Sequence, residues 1–227
     1  MGMLLILTAY IVYAAFWVRL ALHTLIWLRS ARQSRPVHGP AGANPSLAFT
    51  SAALDMVFFR RLFASHKAAW AGSWTFHAAF LFVILRHLRY FMDPVPDCIE
   101  CVQPAGIAAG YVLAFSLVFV MCVRTLGRVR YVSYQNYLIL GLLFLISSTG
   151  LVMRNFFRPD LIDVKSFIMG IIAFSPSPLP GHFFFVLHFS LALLLIPYIP
   201  FHVFTAPVIA VEASRRRHGL DMVMHEK

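Results

Sequence analysis

Charge is what this sequence has least of. Only 12% of its 227 residues are Asp, Glu, Lys or Arg, and no more than nine are acidic, where a soluble domain carries about 25% charged residues. Hydrophobic residues make up 60%, against about half in soluble domains. The combination excludes an ordinary water-soluble enzyme and equally a disordered chain. Cysteine is scarce too, and three residues cannot build a disulfide framework. Basic residues are missing from one whole stretch, since no Lys or Arg lies between Asp93 and Val123. The net charge of +10 does not point to nucleic acid, because the basic residues sit mostly at the ends of apolar blocks. There they fix topology and meet anionic lipid headgroups.

What the sequence does have is long apolar blocks, near or beyond the 18 residues or so that cross a bilayer. Five transmembrane helices are expected, at about 3–28, 70–92, 105–123, 134–153 and 182–211, in a single all-α polytopic membrane helix bundle covering residues 1–227. A polar stretch with Pro and Gly separates the first block from a helix over about Ser51–Ala64, which carries Arg60 and Arg61 and reads as an amphipathic interfacial helix. Asp93-Pro94-Val95-Pro96 stops the second span. The segment 158–181 reads as a loop with a short apolar piece and the breakers Pro176, Pro178 and Pro180. The first positive charge, Arg19, falls inside the first block rather than before it, so no cleavable signal peptide is expected. Arg29, Arg32, Arg35, Arg60, Arg61 and Lys67 follow the first span, Arg124, Arg128 and Arg130 the third, and Arg215, Arg216 and Arg217 the last. The positive-inside rule then puts the N-terminus outside and the C-terminus in the cytoplasm.

No Asp or Glu falls within the spans, but histidines do: His77 and His87 in the second, His188 and His202 in the last. An ionisable side chain at membrane depth is costly and marks a functional site by default, and histidine is the residue that ligates haem iron from a helix. His77 and His87 are about 15 Å apart along a helix axis, and His188 and His202 about 21 Å if their helix were straight. Pro197 and Pro200 make a kink there expected. Because the two spans run in opposite directions, His77 matches His202 in depth on the inner side and His87 matches His188 on the outer side. Two stacked haems suit those separations. His182, near the outer face, is the alternative to His188, and His23 reads as a packed or propionate-contacting residue. The plainer reading, a hydrogen bond from each ring to a neighbouring helix, holds for any one of the four taken alone but not for two pairs matched in depth.

The residues that carry a resemblance are Phe76-His77 through Arg86-His87, Tyr137-Leu138-Ile139-Leu140 with Thr149-Gly150-Leu151-Val152-Met153-Arg154, and Leu187-His188 through His202-Val203-Phe204-Thr205-Ala206-Pro207. In these the chain resembles the gamma-subunit family of respiratory nitrate reductase, including the related cytochrome b subunits of sulfite-reductase-associated and heterodisulfide-reductase-like membrane complexes. The resemblance leans to the sulfur-metabolism branch and runs from the second span to the last. It implies a five-helix subunit with two b haems, quinol or menaquinol oxidation or quinone reduction, and a cytoplasmic iron–sulfur partner beside other membrane or periplasmic redox subunits. It implies axial ligation by His77 and His202 at the inner haem iron and by His87 and His188 at the outer one. Arg86, with Arg89 and Arg154, is expected near the haem propionates, the alternative being that each snorkels to the lipid headgroups.

Cys98-Ile99-Glu100-Cys101 lacks the following His of covalent haem attachment and cannot fill a zinc site alone; a local disulfide is the leading expectation. Cys122 is expected in the core. The expected function is electron transfer between the quinone pool and a partner subunit, in the cytoplasmic membrane and in contact with lipid, without nucleic acid. A rival from another class is a membrane transporter or assembly factor whose histidines bind metal or relay protons. That rival predicts a colourless protein.

Overall fold

The computed structural model describes residues 2–33, 45–127 and 134–200, and all regular structure among them is helical. In chain order the α-helices are α1 (Gly2–Gln33), α2 (Pro45–Phe58), α3 (Arg60–Ser65), α4 (Lys67–His87), α5 (Asp97–Cys101), α6 (Gln103–Leu126), α7 (Tyr134–Asn155), α8 (Leu161–Ile172) and α9 (Phe183–Leu195). Single 3-10 turns extend α4 through Leu88–Tyr90 and α9 through Ile196–Tyr198. Among the described residues four segments are long and apolar enough to cross a membrane, Gly2–Arg29, Lys67–Tyr90, Gln103–Leu126 and Tyr134–Asn155; Phe183–Tyr198 is a shorter apolar helix. The expected last span, 182–211, is therefore represented only by its first part. Residues 201–211, His202 among them, lie outside the described residues.

The described residues divide into two compact units, one of the start of α1 to Tyr13 with Lys67–Leu195, the other of Ala14–His66 with the described residues from Ile196 on. In the first, α4 runs along α6, α6 along α7 and α7 along α9. The contacts of Gly72 with Val120 and of Arg86 with Gly106 make α4 and α6 antiparallel. Tyr111 and Gly110 near the start of α6 meet Asn155 and Leu151 near the end of α7, and Phe157 beyond α7 meets Phe184 at the start of α9. Successive helices thus alternate in direction, and α9 runs opposite to α4.

Helix α6 is the centre of this unit. Pro104 opens its first turn, a position where the missing N–H costs nothing. Gly106, Ala109, Leu113, Ser116, Leu117 and Val120 recur every three or four residues and are all buried. Of these, Ala109, Leu113, Leu117 and Val120 form one apolar cluster with Ala79, Leu140 and Leu143. The opposite face is just as apolar: Phe115 is 74% exposed although Leu117, two residues on, is 0% exposed. A helix that is apolar all round belongs in hydrocarbon. Hydroxyls inside it bond back to their own helix, Ser116 to the Leu113 carbonyl and Thr125 to that of Met121, because lipid offers no other acceptor. Cys122 was expected in this core. It is exposed, because it falls off the 106–120 stripe onto the outer face.

The segment read as an outer loop folds as α8. Asp160 accepts from the backbone N–H groups of Ile162 and Asp163, an N-cap that satisfies donors a helix start leaves open. Phe167 of α8 is fully buried against Phe185 and Phe189 of α9, in a second cluster with Ile6 and Val164. The Tyr10 hydroxyl donates to the Ile171 carbonyl at 3.1 Å, which ties the start of α1 to the end of α8.

In the second unit, the single interfacial helix expected over 51–64 is two helices. The chain turns at Phe59, whose φ of 48° is left-handed, and Arg61 Nε donates to Asp55 Oδ2 at 2.8 Å across the break. Arg19, inside the first apolar block, donates to the Pro197 carbonyl at 3.1 Å.

Candidate functional site

The last turn of α4 and the second turn of α9 bring His87 and His188 together. Their ring centres are 6.3 Å apart and their planes are inclined by only 14°. The outer-side pairing expected from the sequence is thus present as a spatial pair, and His188 rather than His182 meets His87. That distance lies within the range of about 4.5–7 Å for ring pairs in offset contact. It also leaves room for one metal atom that both rings would hold: a metal–imidazole bond is about 2.0–2.1 Å, and a ring nitrogen lies about 1.1 Å from its ring centre.

The hydrogen bonds bear on which nitrogen keeps a lone pair. His87 Nδ1 lies 2.6 Å from the Val83 carbonyl, one turn back on α4. A carbonyl only accepts, so Nδ1 carries the proton and Nε2 keeps the lone pair. His188 Nδ1 lies 3.0 Å from Thr149 Oγ1 on α7. A second hydrogen-bonded nitrogen of this kind is what orients a metal-bound histidine. His77, further back on α4, is held as His87 is, with Nδ1 2.7 Å from the Ser73 carbonyl, and its ring meets Phe76 edge-on. Its expected partner His202 lies outside the described residues, so the inner pairing has no described geometry.

Small residues let the site close up. A Cβ on Gly106 would lie 2.6 Å from Arg86 Cβ and 3.1 Å from the Phe82 carbonyl oxygen, and one on Gly150 would lie 3.3 Å from His188 Cε1. Arg86 turns toward α6, not toward His87, and its Nε is buried with no hydrogen-bond partner among the described residues. His182 Nδ1 is in the same state. Arg89 instead donates to the Tyr90 hydroxyl at 3.2 Å and lies over that ring.

Beyond His87 a cavity of about 540 Å³ opens between the end of α4, α5 and α8. Its polar lining includes Arg89, Asp93, Glu100 and Lys165, and Ile99, Leu161 and Met169 form apolar wall. Asp93 and Lys165 pair at 2.8 Å. Cys98 and Cys101 stand one turn apart on α5 as free, exposed thiols, where a local disulfide was expected.

Sequence reasoning found His87 and His188 but missed Thr149, Gly150 and Gly106 as parts of the site. Nothing local marks Thr149, whose partner is 39 residues further on.

Fold and site together define a class: a multi-pass membrane helix bundle holding paired histidines between antiparallel helices. Among known proteins, the chain is 31% identical over 150 residues to the Hdr-like menaquinol oxidoreductase cytochrome b-like subunit of Archaeoglobus profundus, covering 58% of this chain and 44% of that one. It is 31% identical over 182 residues to the protein of the same name from Archaeoglobus fulgidus, covering 65% and 53%. The chain spans about half the length of these curated relatives. No family model matches, and no solved structure matches significantly. The likeness supports the heterodisulfide-reductase-like side of the expected resemblance and gives nothing to the nitrate reductase gamma subunit.

Proposed function

We propose that this chain is the membrane-anchor di-haem cytochrome b subunit of a respiratory complex, carrying electrons between the quinone pool and a partner redox subunit. One observation carries the proposal: two imidazoles on antiparallel helices, 6.3 Å apart at 14°, each with Nδ1 already hydrogen-bonded. The residues present fit haem b. Among the described residues no group of three or more His, Cys, Asp or Glu gathers to hold a bare metal ion, and a haem asks the protein for two axial ligands only. Helices α4 and α9 make at most slight backbone contact, which would leave room for a group between them. Arg86 Nε, buried with no hydrogen-bond partner among the described residues, would suit a propionate carboxylate that reaches the α6 side of α4. Haem b held by two histidines supplies one-electron transfer and leaves no axial position for a further ligand.

The chain's own residues do the rest. His87 and His188 orient the centre, Arg86 offsets negative charge beside it, and the apolar faces of α6 and α7 keep water out. The second haem is assigned to His77 with His202. The cavity beside Arg89 and Tyr90 is the proposed place for a quinol head group. Its apolar wall suits the ring, and Glu100, with no ion pair among the described residues, is the carboxylate available to take a proton. The relatives' names support menaquinol as the electron donor and membership of a complex. The reading extends to one domain over 1–227 in the cytoplasmic membrane, with the N-terminus outside and the basic C-terminus inside. There the C-terminus would meet a cytoplasmic iron–sulfur subunit and anionic lipid, beside other membrane or periplasmic redox subunits.

The test is the reduced-minus-oxidised absorption spectrum of the purified subunit, with pyridine haemochrome quantification. Two b haems per chain are expected. A colourless, folded protein would overturn the reading.

A further inference from the structure

We infer that Thr149 is a positioning residue for the outer haem, acting through His188: its hydroxyl oxygen accepts the Nδ1 proton and so fixes the tautomer, ring plane and donor strength of that ligand. The inference rests on the haem reading above.

The argument starts from how many hydrogens a hydroxyl has. Thr149 Oγ1 lies 2.9 Å from the Leu145 carbonyl oxygen and 2.9 Å from that of Ile146, one turn back on α7. Both can only accept, so the single hydroxyl hydrogen is directed at them. Toward His188 Nδ1, 3.0 Å away, the oxygen is then left with lone pairs, and the hydrogen in that contact belongs to the imidazole. A neutral imidazole protonated on Nδ1 presents the Nε2 lone pair, the form that binds a metal. The reverse arrangement, Thr149 donating to Nδ1, would put the proton on Nε2 and block ligation.

Position supports the same role. Thr149 and Gly150 together form the ledge on which the ring rests, since a Cβ at Gly150 would come within 3.3 Å of Cε1 and 3.6 Å of Nδ1. The two ligands are held unequally. His87 is tied to a main-chain carbonyl of its own helix, which no substitution removes. His188 faces a side chain of a different helix, Thr149, with the Ile146 main-chain carbonyl of that helix also within its reach, so this is the half of the pair in which a substitution can change the hydrogen bonding. A stronger acceptor on Nδ1–H makes the ligand more basic and favours ferric iron; losing the acceptor favours ferrous iron. The near-parallel ring planes also depend on the ledge.

The experiment compares Thr149→Val, Thr149→Ser and Gly150→Ala in the full-length, haem-loaded subunit. The readouts are redox titration of each haem and the low-spin ferric EPR spectrum, which responds to the angle between the imidazole planes. Thr149→Val is expected to raise the midpoint potential of the His87/His188 haem, to move its g values and to weaken haem retention by about 10–100-fold. Thr149→Ser keeps the oxygen and should restore all three. Gly150→Ala should move the g values with little change in potential. The inference is overturned if Thr149→Val leaves potential and EPR at the parent values, or if Val and Ser variants shift them equally. A parent subunit that binds no haem at all overturns the reading beneath it and this inference with it, whereas loss of haem from His87→Ala together with an unchanged Thr149→Val variant sinks the inference alone.

Discussion

His77 and His87 stand on one helix and are gripped in the same way, each by a hydrogen bond from Nδ1 to the carbonyl four residues back, at 2.7 and 2.6 Å. Their surroundings differ. His87 faces a second imidazole on α9 and lies under the close approach of α4 to α6 at Gly106. His77 is exposed, with an edge-on contact to Phe76. The comparison separates two things a ligand needs. Orientation of the ring is a local property, available to any histidine on a regular helix. A partner at the right distance is not local and has to be delivered by another helix.

Three substitutions test that comparison. The largest effect is expected from removing the imidazoles. His87→Ala and His188→Ala should each abolish the same haem and halve the b-type absorbance, while His77→Ala should spare that haem and remove the other. Loss of one common centre from His77→Ala and His188→Ala would break the comparison outright.

A smaller effect is expected at the two glycines that bring α4 and α6 together, one at each end. Gly106→Ala drives a methyl into Arg86 Cβ and the Phe82 carbonyl, atoms at or near the main chain. At Gly72 the obstacles are the Phe119 ring at 2.7 Å and a Val120 methyl at 2.8 Å, which side-chain rotation can move. Overpacking costs about 1–3 kcal/mol, and Gly106→Ala should fall toward the upper end. Thermal denaturation in detergent would measure the difference, and the His87 haem should broaden spectrally in Gly106→Ala but not in Gly72→Ala.

The smallest effect is expected at the cavity mouth, where Asp93 is 70% and Lys165 30% exposed. Breaking so exposed a pair with Lys165→Met should change stability by about 1 kcal/mol or less. Both haem spectra should stay unchanged; a spectral shift would mean that the cavity and the His87 centre are coupled through Tyr90, which lines the cavity and whose ring centre lies 6.0 Å from that of His87.

Much of this was legible in the residue order. Apolar blocks gave the helices α1, α4, α6 and α7 to within a few residues, because burial in lipid needs only composition and length. The histidines were legible because an imidazole among Phe, Leu and Ala is conspicuous. Each miss has its own physical cause. Helix α8 looked like loop because twelve residues are too short to register as a span, although Asp160 with Asp163 three residues on was a readable start signal. The interfacial helix broke at Phe59, whose left-handed conformation nothing in the sequence announces. Cys122 was misplaced because in an all-apolar helix the hydrophobic pattern does not say which face turns inward.

The residue order by itself determined that this chain is a membrane helix bundle and that its helices carry histidines, since hydropathy and residue chemistry act over one turn or one span. Only the tertiary structure decided that His188 rather than His182 meets His87, that Arg86 turns to α6, and that a threonine on α7 holds the facing ring. Those choices depend on which helices are neighbours and how each is rotated about its axis, and in lipid that rotation is set by where small residues let two backbones approach.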